Sequence, residues 1–140
     1  MIRLATPGDT PAISRLLTQL GYPGTDAFLE RHLLEMLADP REALLVWAEN
    51  DTVAGFLSMD FSIYPSLKGP VATIKAFAVD ENARSKGIGA RLEMEATRLA
   101  REKDCDRIIV HCHARRTRAH EFYGRQGYEE SPKYLVKKLS

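Results

Sequence analysis

Arg84-Ser85-Lys86-Gly87-Ile88-Gly89-Ala90 is the stretch that decides the fold, because it joins an apolar strand to a helix. Apolar residues from Ala72 to Val79 predict the strand, and apolar residues at helical spacing predict a helix from about Gly87 to Lys103. The first backbone N–H groups of a helix lack intrahelical partners, and the helix dipole adds partial positive charge there. Two glycines let an anion approach the backbone without a Cβ in the way. The stretch therefore predicts a site for a phosphate-bearing ligand, although a solvated loop with turn glycines stays an alternative.

The composition is typical of a globular protein and excludes several functional classes. The 140 residues are 44% hydrophobic and 28% charged, which suits one domain over residues 1–140. A formal net charge of +1 argues against a dedicated nucleic-acid binder. Neither a bilayer-spanning apolar stretch nor a signal peptide's apolar core occurs, so we expect no membrane partner. Cys105 and Cys112 lack metal-ligand spacing, so we expect a cytoplasmic protein with free thiols.

Hydrophobic spacing and turn residues predict the other elements. Helices are predicted over residues 10–20, 25–38, 87–103 and 117–126, and strands over residues 2–5, 43–48, 53–61, 71–79, 107–112 and 134–139. The order is β-α-α-β-β-β-α-β-α-β, in which strands alternate with helices only in the second half. This order predicts an α/β (α+β) fold with a mixed central sheet and helices on both faces.

Two separated motifs together carry a resemblance to a known family. Val79 to Ala90, VDENARSKGIGA, is similar to the pyrophosphate loop (Q/R)-x-x-G-x-(G/A), and Ala119 to Tyr128, AHEFYGRQGY, is similar to A-x-x-F-Y-x-x-x-G-(F/Y). In this order and at this distance, the chain resembles the GCN5-related N-acetyltransferases (GNAT). The resemblance implies acetyl-CoA as cosubstrate and acetyl transfer to a primary amine, above all that of a small molecule, by direct attack on the thioester. The second motif also resembles aminoalkylphosphonate and aminoglycoside N-acetyltransferase-like members.

The resemblance also places acetyl-CoA on this chain residue by residue. Backbone groups at the end of the strand would meet the pantetheine arm and the thioester oxygen, and the loop that follows would wrap the pyrophosphate. The implied cofactor-binding residues are Ala78, Val79, Arg84, Ser85, Lys86, Gly87, Ile88, Gly89 and Ala90.

Tyr123 is the catalytic residue that the resemblance implies. The tyrosine of the Phe-Tyr pair would lie near the CoA sulfur and act as the general acid. A phenol with a pKa of about 10 stays protonated at neutral pH and can match a thiol leaving group. A core tyrosine with a hydrogen-bonded hydroxyl is the alternative.

The general base is where the sequence departs from the family pattern. Many members carry a glutamate on the strand before the loop, and here the nearby polar residue is Lys75, which cannot serve as that carboxylate. His111 and His113 lie two apart on a predicted strand and titrate near neutral pH, so they are candidate bases or structural residues. Deprotonation through water is a further route. Cys112 would point to the opposite face, so we expect no metal.

Two more positions are candidate substrate contacts. Arg116 stands where members often carry asparagine, in a basic cluster that either contacts CoA phosphates or an anionic substrate or forms a solvated helix start. Tyr64 lies on a long loop that forms a substrate wall, a dimer contact or an exposed flexible segment. A homodimer is possible by analogy with the family.

Two other functions stay open at this point. Lys75 in place of an acid is compatible with an acyl-CoA-binding sensor or regulator that has weak or no turnover. A protein or peptide N-acetyltransferase would need an open groove beside the site.

Overall fold

A mixed sheet flanked by helices forms the centre of the computed structural model, which describes residues 1–84, 86–111, 117–131 and 134–140. The strands within these ranges are β1 Ile2–Leu4, β2 Glu42–Glu49, β3 Thr52–Ser62, β4 Val71–Val79 and β5 Arg107–Val110. The helices are α1 Thr10–Leu20, α2 Leu29–Leu37, α3 Ile88–Glu102 and α4 Thr117–Arg125. The predicted fold class is confirmed.

Within the sheet, β4 and β5 pair over only part of the length of β4. The strand order is β1-β2-β3-β4-β5, and all neighbours are antiparallel except β4 and β5, which are parallel. β4 pairs with β3 from Val71 to Val79, but it pairs with β5 only from Val71 to Ile74. In the described part of the chain, the second half of β4 therefore has one edge without a strand partner.

The core has a separate apolar cluster on each face of the sheet. The face under α3 contains Leu45, Trp47, Leu57, Met59, Phe61, Ala72, Ile74, Ile88, Leu92, Ala96 and Ala100. The face under α1 and α2 contains Ala5, Ile13, Leu16, Leu29, Leu33, Leu44, Val46, Val53, Phe56 and Ala78. Because side chains alternate along each strand, both faces of the central strands are buried, and their sequences are nearly continuous apolar runs.

Left-handed backbone at the expected turns explains why the elements end where they do. Asn50 and Asp51 have φ values of 49° and 65°, which suit the two-residue hairpin turn predicted between β2 and β3. Gly21 ends α1 with φ 109°, and Gly87 precedes α3 with φ 77°. Glycine adopts these angles without the steric penalty of a Cβ.

Three sequence-based predictions differ from the structure by more than one residue. α2 begins at Leu29, because Thr25–Ala27 forms a 3-10 turn. β5 ends at Val110, so His111 lies just beyond the strand. The closing strand predicted over residues 134–139 is wrong: no strand occurs over residues 134–140, and Leu135 and Leu139 are 96% and 92% exposed. Its apolar residues are consecutive rather than alternating, so one face of a sheet could not bury them all.

Candidate active site

The open edge of β4 exposes backbone groups of Phe77 and Val79. The Asp80 N–H donates to the Ala54 carbonyl of β3 at 2.8 Å, so the backbone of Asp80 faces β3. Alternation along an antiparallel pair then turns the N–H and C=O groups of Val79 and Phe77 toward the open edge, and those of Ala78 toward β3. Phe77, which the sequence reasoning did not select, therefore shares this edge with Val79.

The loop before α3 presents an accessible helix start. Gly87 is exposed, and a Cβ built on it would meet no atom within 4 Å. Lys86 is exposed beside it, and Arg84 donates from Nε to the Val79 carbonyl at 3.4 Å. These residues bring unpaired N–H groups and two cations to the end of β4. Ser85 lies outside the described residues.

The other residues at the start of α3 anchor the helix. Ile88 is 3% exposed and packs in the core under α3, while Ala90 is half-buried. A Cβ on Gly89 would lie 3.4 Å from the Phe122 ring and 3.6 Å from the Val79 side chain. The small residue at position 89 therefore allows α4 to approach the start of α3 beside the open edge.

Polar contacts join the beginning of the loop to α1. Asp80 accepts the Asn82 N–H at 3.0 Å and forms an ion pair with Arg15. The Asn82 hydrogen bond, followed by the Arg15 guanidinium, lowers the pKa of the Asp80 carboxyl. Gln19 of α1 accepts the Glu81 N–H at 3.0 Å. The sequence contained no local signal for Arg15 or Gln19, because both lie more than 60 residues before the loop.

An aromatic cluster packs against the open half of β4. The ring centroid of Phe77 lies 5.7 Å from that of Phe122 and 6.3 Å from that of Tyr123. Tyr123 also contacts the Tyr128 ring at 5.3 Å. Tyr123 is thus half-buried within reach of the edge where Phe77 and Val79 present their backbone groups.

Tyr128 contributes a second phenol to this cluster. Its hydroxyl is buried and has no hydrogen-bond partner among the described residues. Burial, with a smaller contribution from the Glu93 carboxylate, raises the pKa of the Tyr128 phenol well above its usual range. Tyr128 therefore stays neutral at physiological pH.

Lys75 lies at a β-bulge next to the point where β4 leaves β5. Met59 pairs with Ile74 and Ser58 pairs with Ala76, so Lys75 is the extra residue of the bulge. Its Nζ contacts Glu42 Oε1 and lies 3.7 Å from Asp60 Oδ2. Neither carboxylate was predicted from the sequence, because Glu42 and Asp60 lie on β2 and β3 and only the register of the sheet brings them beside Lys75.

The remaining candidates do not meet at the open edge. His111 is exposed, and its ring centroid lies 4.2 Å from that of Tyr134 with the two rings tilted by 50°. Tyr64 is 41% exposed on the loop after β3. His113, Cys112 and Arg116 lie outside the described residues. Within the ranges that the structure describes, no three potential metal ligands come together, and no helix has the length and apolarity of a membrane span.

Comparison with known proteins identifies the family to which the chain belongs. The model of the acetyltransferase (GNAT) family matches residues 11–128. The chain belongs to the GNAT acetyltransferase family. It is therefore an N-acetyltransferase that uses acetyl-CoA, as the two motifs predicted. The family match includes the loop, the aromatic cluster and both strands at the open edge.

Two curated GNAT relatives are similar to the chain over different extents. The aminoalkylphosphonate N-acetyltransferase of Salmonella typhimurium (strain LT2) is 26% identical over 140 residues, which cover 99% of this chain and 90% of that protein. The chloroplastic GCN5-related N-acetyltransferase 4 of Arabidopsis thaliana is 37% identical over 84 residues, which are 54% of this chain and 29% of the relative. The chain thus matches less than a third of the longer plant protein.

Solved structures share the whole GNAT architecture. A protein described as a transcriptional regulator from Bacillus halodurans C-125 has a TM-score of 0.90 at 25% identity, with 99% of each chain covered. AAC(6')-Iy, solved with a CoA-containing bisubstrate analog, has a TM-score of 0.86 at 17% identity, with 100% of this chain and 97% of that chain covered. The second likeness shows the fold alone.

Proposed function

We propose that this acetyltransferase transfers the acetyl group of acetyl-CoA to the primary amine of a small molecule by direct attack on the thioester. The observation that supports the proposal is that β4 and β5 separate after Ile74. This separation leaves an unpaired edge of β4 next to the aromatic ring of Tyr123. The edge offers hydrogen bonds to an extended ligand, and the phenol offers a proton beside it.

The residues around the open edge fit acetyl-CoA. When bound, this cosubstrate supplies an acetyl group activated as a thioester. Phe77 and Val79 would bind its pantetheine arm through their backbone groups, as a strand binds a neighbouring strand. Arg84, Lys86 and the N–H groups that follow Gly87 would bind the pyrophosphate. Ala78, which the sequence reasoning included, would support this edge from the buried side of the strand.

Tyr123 would act as the general acid of the transfer. An alkylammonium acceptor has a pKa of about 10.4, so it must lose a proton before it attacks. The departing thiolate must gain one, and Tyr123 would provide it. Lys75 is held in an ion pair with Glu42, which leaves proton removal to water or to another group.

The small-molecule acceptor is supported by what similar proteins are named for. The Salmonella relative, matched over 90% of its length, is an aminoalkylphosphonate N-acetyltransferase. A structural neighbour from a soil metagenome with a TM-score of 0.80 is an aminoglycoside acetyltransferase. We further propose that the enzyme is cytoplasmic, consists of one domain over residues 1–140, and forms a homodimer with Tyr64 near the acceptor or the interface.

A panel of acceptors tests this function. The full chain is incubated with acetyl-CoA and alkylamines, aminoalkylphosphonates, aminoglycosides, polyamines or lysine peptides, and release of the CoA thiol is measured. We expect turnover with at least one small amine and less with peptides. Turnover with peptides only would favour a peptide acetyltransferase, and tight acetyl-CoA binding without turnover would favour a CoA-binding regulator.

A further inference from the structure

Glu93 is a buried carboxylate on α3 that the proposed mechanism does not use. It is 4% exposed, and the other buried residues of α3 are apolar. Within the described part of the chain, both of its oxygens accept from one group, the Thr97 hydroxyl one turn further along the helix, at 2.7 and 3.1 Å. A carboxylate has about four acceptor positions, so Glu93 keeps acceptor capacity inside the protein. Because burial of a charge is costly without compensating donors, a further donor near Glu93 is expected.

Glu93 faces the end of α4. It lines the same cleft as Arg125 and Gln126, the last residues of that helix and of its C-terminal turn. Tyr128 follows two residues later and packs against the apolar cluster under α3. Burial, and after it the charge of the Glu93 carboxylate, raises the pKa of the Tyr128 phenol. The contact between α3 and the end of α4 therefore brings a buried carboxylate and a neutral phenol together.

The Tyr128 hydroxyl complements the Glu93 carboxylate. It is buried, and among the described residues it has no hydrogen-bond partner. A buried donor without an acceptor destabilises a protein, because it has lost its hydrogen bonds to water. A donor without an acceptor thus lies near an acceptor with capacity to spare, and the two are not joined in this structure.

The turn that ends α4 links Tyr128 to Tyr123. The Tyr128 N–H donates to the Tyr123 carbonyl at 3.0 Å, and Gly127 allows this turn with a φ of 94°. The centroids of the two tyrosine rings lie 5.3 Å apart, and that of Tyr123 lies 6.3 Å from the Phe77 ring at the open edge of β4. A ligand along this edge meets rings attached to the same turn. Its binding therefore favours one position of Tyr128 over another.

We propose that Glu93 and Tyr128 are positioning residues for Tyr123: when acetyl-CoA occupies the open edge, the Tyr128 hydroxyl donates to the Glu93 carboxylate and holds the end of α4 against α3. This hydrogen bond gives the buried phenol an acceptor and the buried carboxylate a second donor. It fixes the Tyr123 ring at the edge of β4, where its proton is needed. The proposal rests on the proposed function, because Tyr123 is the general acid of that function.

Tyr128→Phe tests the phenol, because it removes the hydroxyl and keeps the ring. We expect the dissociation constant of acetyl-CoA, measured by calorimetry, to rise about tenfold, the size of one hydrogen bond to a charged group. With acetyl-CoA saturating, kcat should fall by about tenfold, because Tyr123 is less firmly placed. The free energy of unfolding of the free protein should stay the same or rise, since the hydroxyl is unpaired there. Tyr22→Phe, at an exposed tyrosine, is the matched control and should change none of these.

Variants of Glu93 test the other partner. Glu93→Leu should raise the dissociation constant of acetyl-CoA about tenfold, whereas Glu93→Gln should keep most of the affinity, because its amide oxygen still accepts from the phenol. Tyr128→Phe combined with Glu93→Leu should bind acetyl-CoA about as well as either single variant, since both changes remove the same hydrogen bond.

Several outcomes would overturn the proposal. These are an unchanged dissociation constant in Tyr128→Phe, additive losses of affinity in the double variant, or a free Tyr128→Phe protein that loses as much stability as affinity. An unchanged kcat beside a raised dissociation constant would overturn the positioning of Tyr123. If no amine releases thiol with the wild type, the proposed function fails, and the acetyl-CoA affinities of the same variants still decide whether Glu93 and Tyr128 pair.

Discussion

Gly87 shows how one backbone conformation shapes the proposed cofactor loop, residues 80–87. Its φ of 77° lies in the left-handed region, and the space around its Cα is open. Gly24, before the 3-10 turn that precedes α2, has a φ of 80° and equally open surroundings. The two glycines therefore share the conformational requirement, and only Gly87 lies at the start of α3 beside Lys86 and Arg84.

Gly87→Glu should lose acetyl-CoA binding by more than about tenfold, because a side chain and a negative charge enter the expected pyrophosphate site. The dissociation constant from calorimetry is the measurement. Gly24→Glu is the matched control, since it introduces the same residue at a similar φ away from the loop. Equal affinity of the two variants would remove the pyrophosphate assignment.

Tyr123→Phe should lower kcat by about 100-fold while leaving acetyl-CoA affinity within about twofold, because it removes a proton donor and keeps the ring packing. Tyr22→Phe, at an exposed tyrosine after α1, serves as the control. An unchanged kcat in Tyr123→Phe would end the general-acid assignment and direct attention to Tyr128, whose buried hydroxyl belongs to the same cluster.

At the scale of elements, α1 and the cofactor loop are joined by side chains rather than by sequence proximity. Arg15 forms an ion pair with Asp80 and donates a hydrogen bond to the Val53 carbonyl at 3.1 Å. Gln19 holds the backbone of Glu81. The start of the loop is thereby fixed at the end of β4, where we propose that the loop cations bind the pyrophosphate of acetyl-CoA.

Asp80→Asn should lower the free energy of unfolding at pH 7 by about 1 kcal/mol, since it weakens an N-cap-like bond and a partly exposed ion pair. Because the folded protein lowers the pKa of Asp80, this contribution is present above the unfolded pKa and is lost as the pH falls through the folded pKa. The difference between wild type and variant should vanish by about pH 2. Urea titrations from pH 7 to pH 2 measure it; a difference that persists at low pH would contradict the ion-pair explanation.

At the scale of the whole molecule, one sheet carries two cores. α1 and α2 cover one face, and α3 covers the other, so each central strand contributes alternate residues to both clusters. Leu16 and Leu92 are fully buried in opposite clusters. Because the clusters share the same strands, we expect the chain to unfold as one unit, in agreement with a single domain over residues 1–140.

Leu16→Ala and Leu92→Ala should each lower the free energy of unfolding by about 2–5 kcal/mol and shift the same single transition. Circular dichroism and tryptophan fluorescence are recorded together, since Trp47 packs in the cluster under α3. Met94→Ala, at a residue 65% exposed on α3, should change stability by less than about 0.5 kcal/mol. Two separated transitions would contradict the single domain.

Local patterns in the sequence were enough to predict most of the fold, including the glycine turn between β4 and α3. Helical and alternating periods, the turn residues Asn50 and Asp51, and the glycines that end helices act over a few residues, so they can be read without a structure. The prediction of a closing strand was wrong because a strand forms only when it pairs with another strand. Among the described residues, no strand pairs with residues 134–140.

By itself, the sequence determined the order of elements as far as α4, the glycine turn at the start of α3, and the family, because each depends on neighbouring residues or on two linear motifs. Only the tertiary structure decided which backbone groups face the open edge of β4, that Phe77 rather than Ala78 shares it with Val79, and that two carboxylates surround Lys75. Glu42 and Asp60 come from β2 and β3, and their charges act on Lys75 through space. Distances across a sheet follow from strand register and a bulge, and neither is written in any local stretch of the chain.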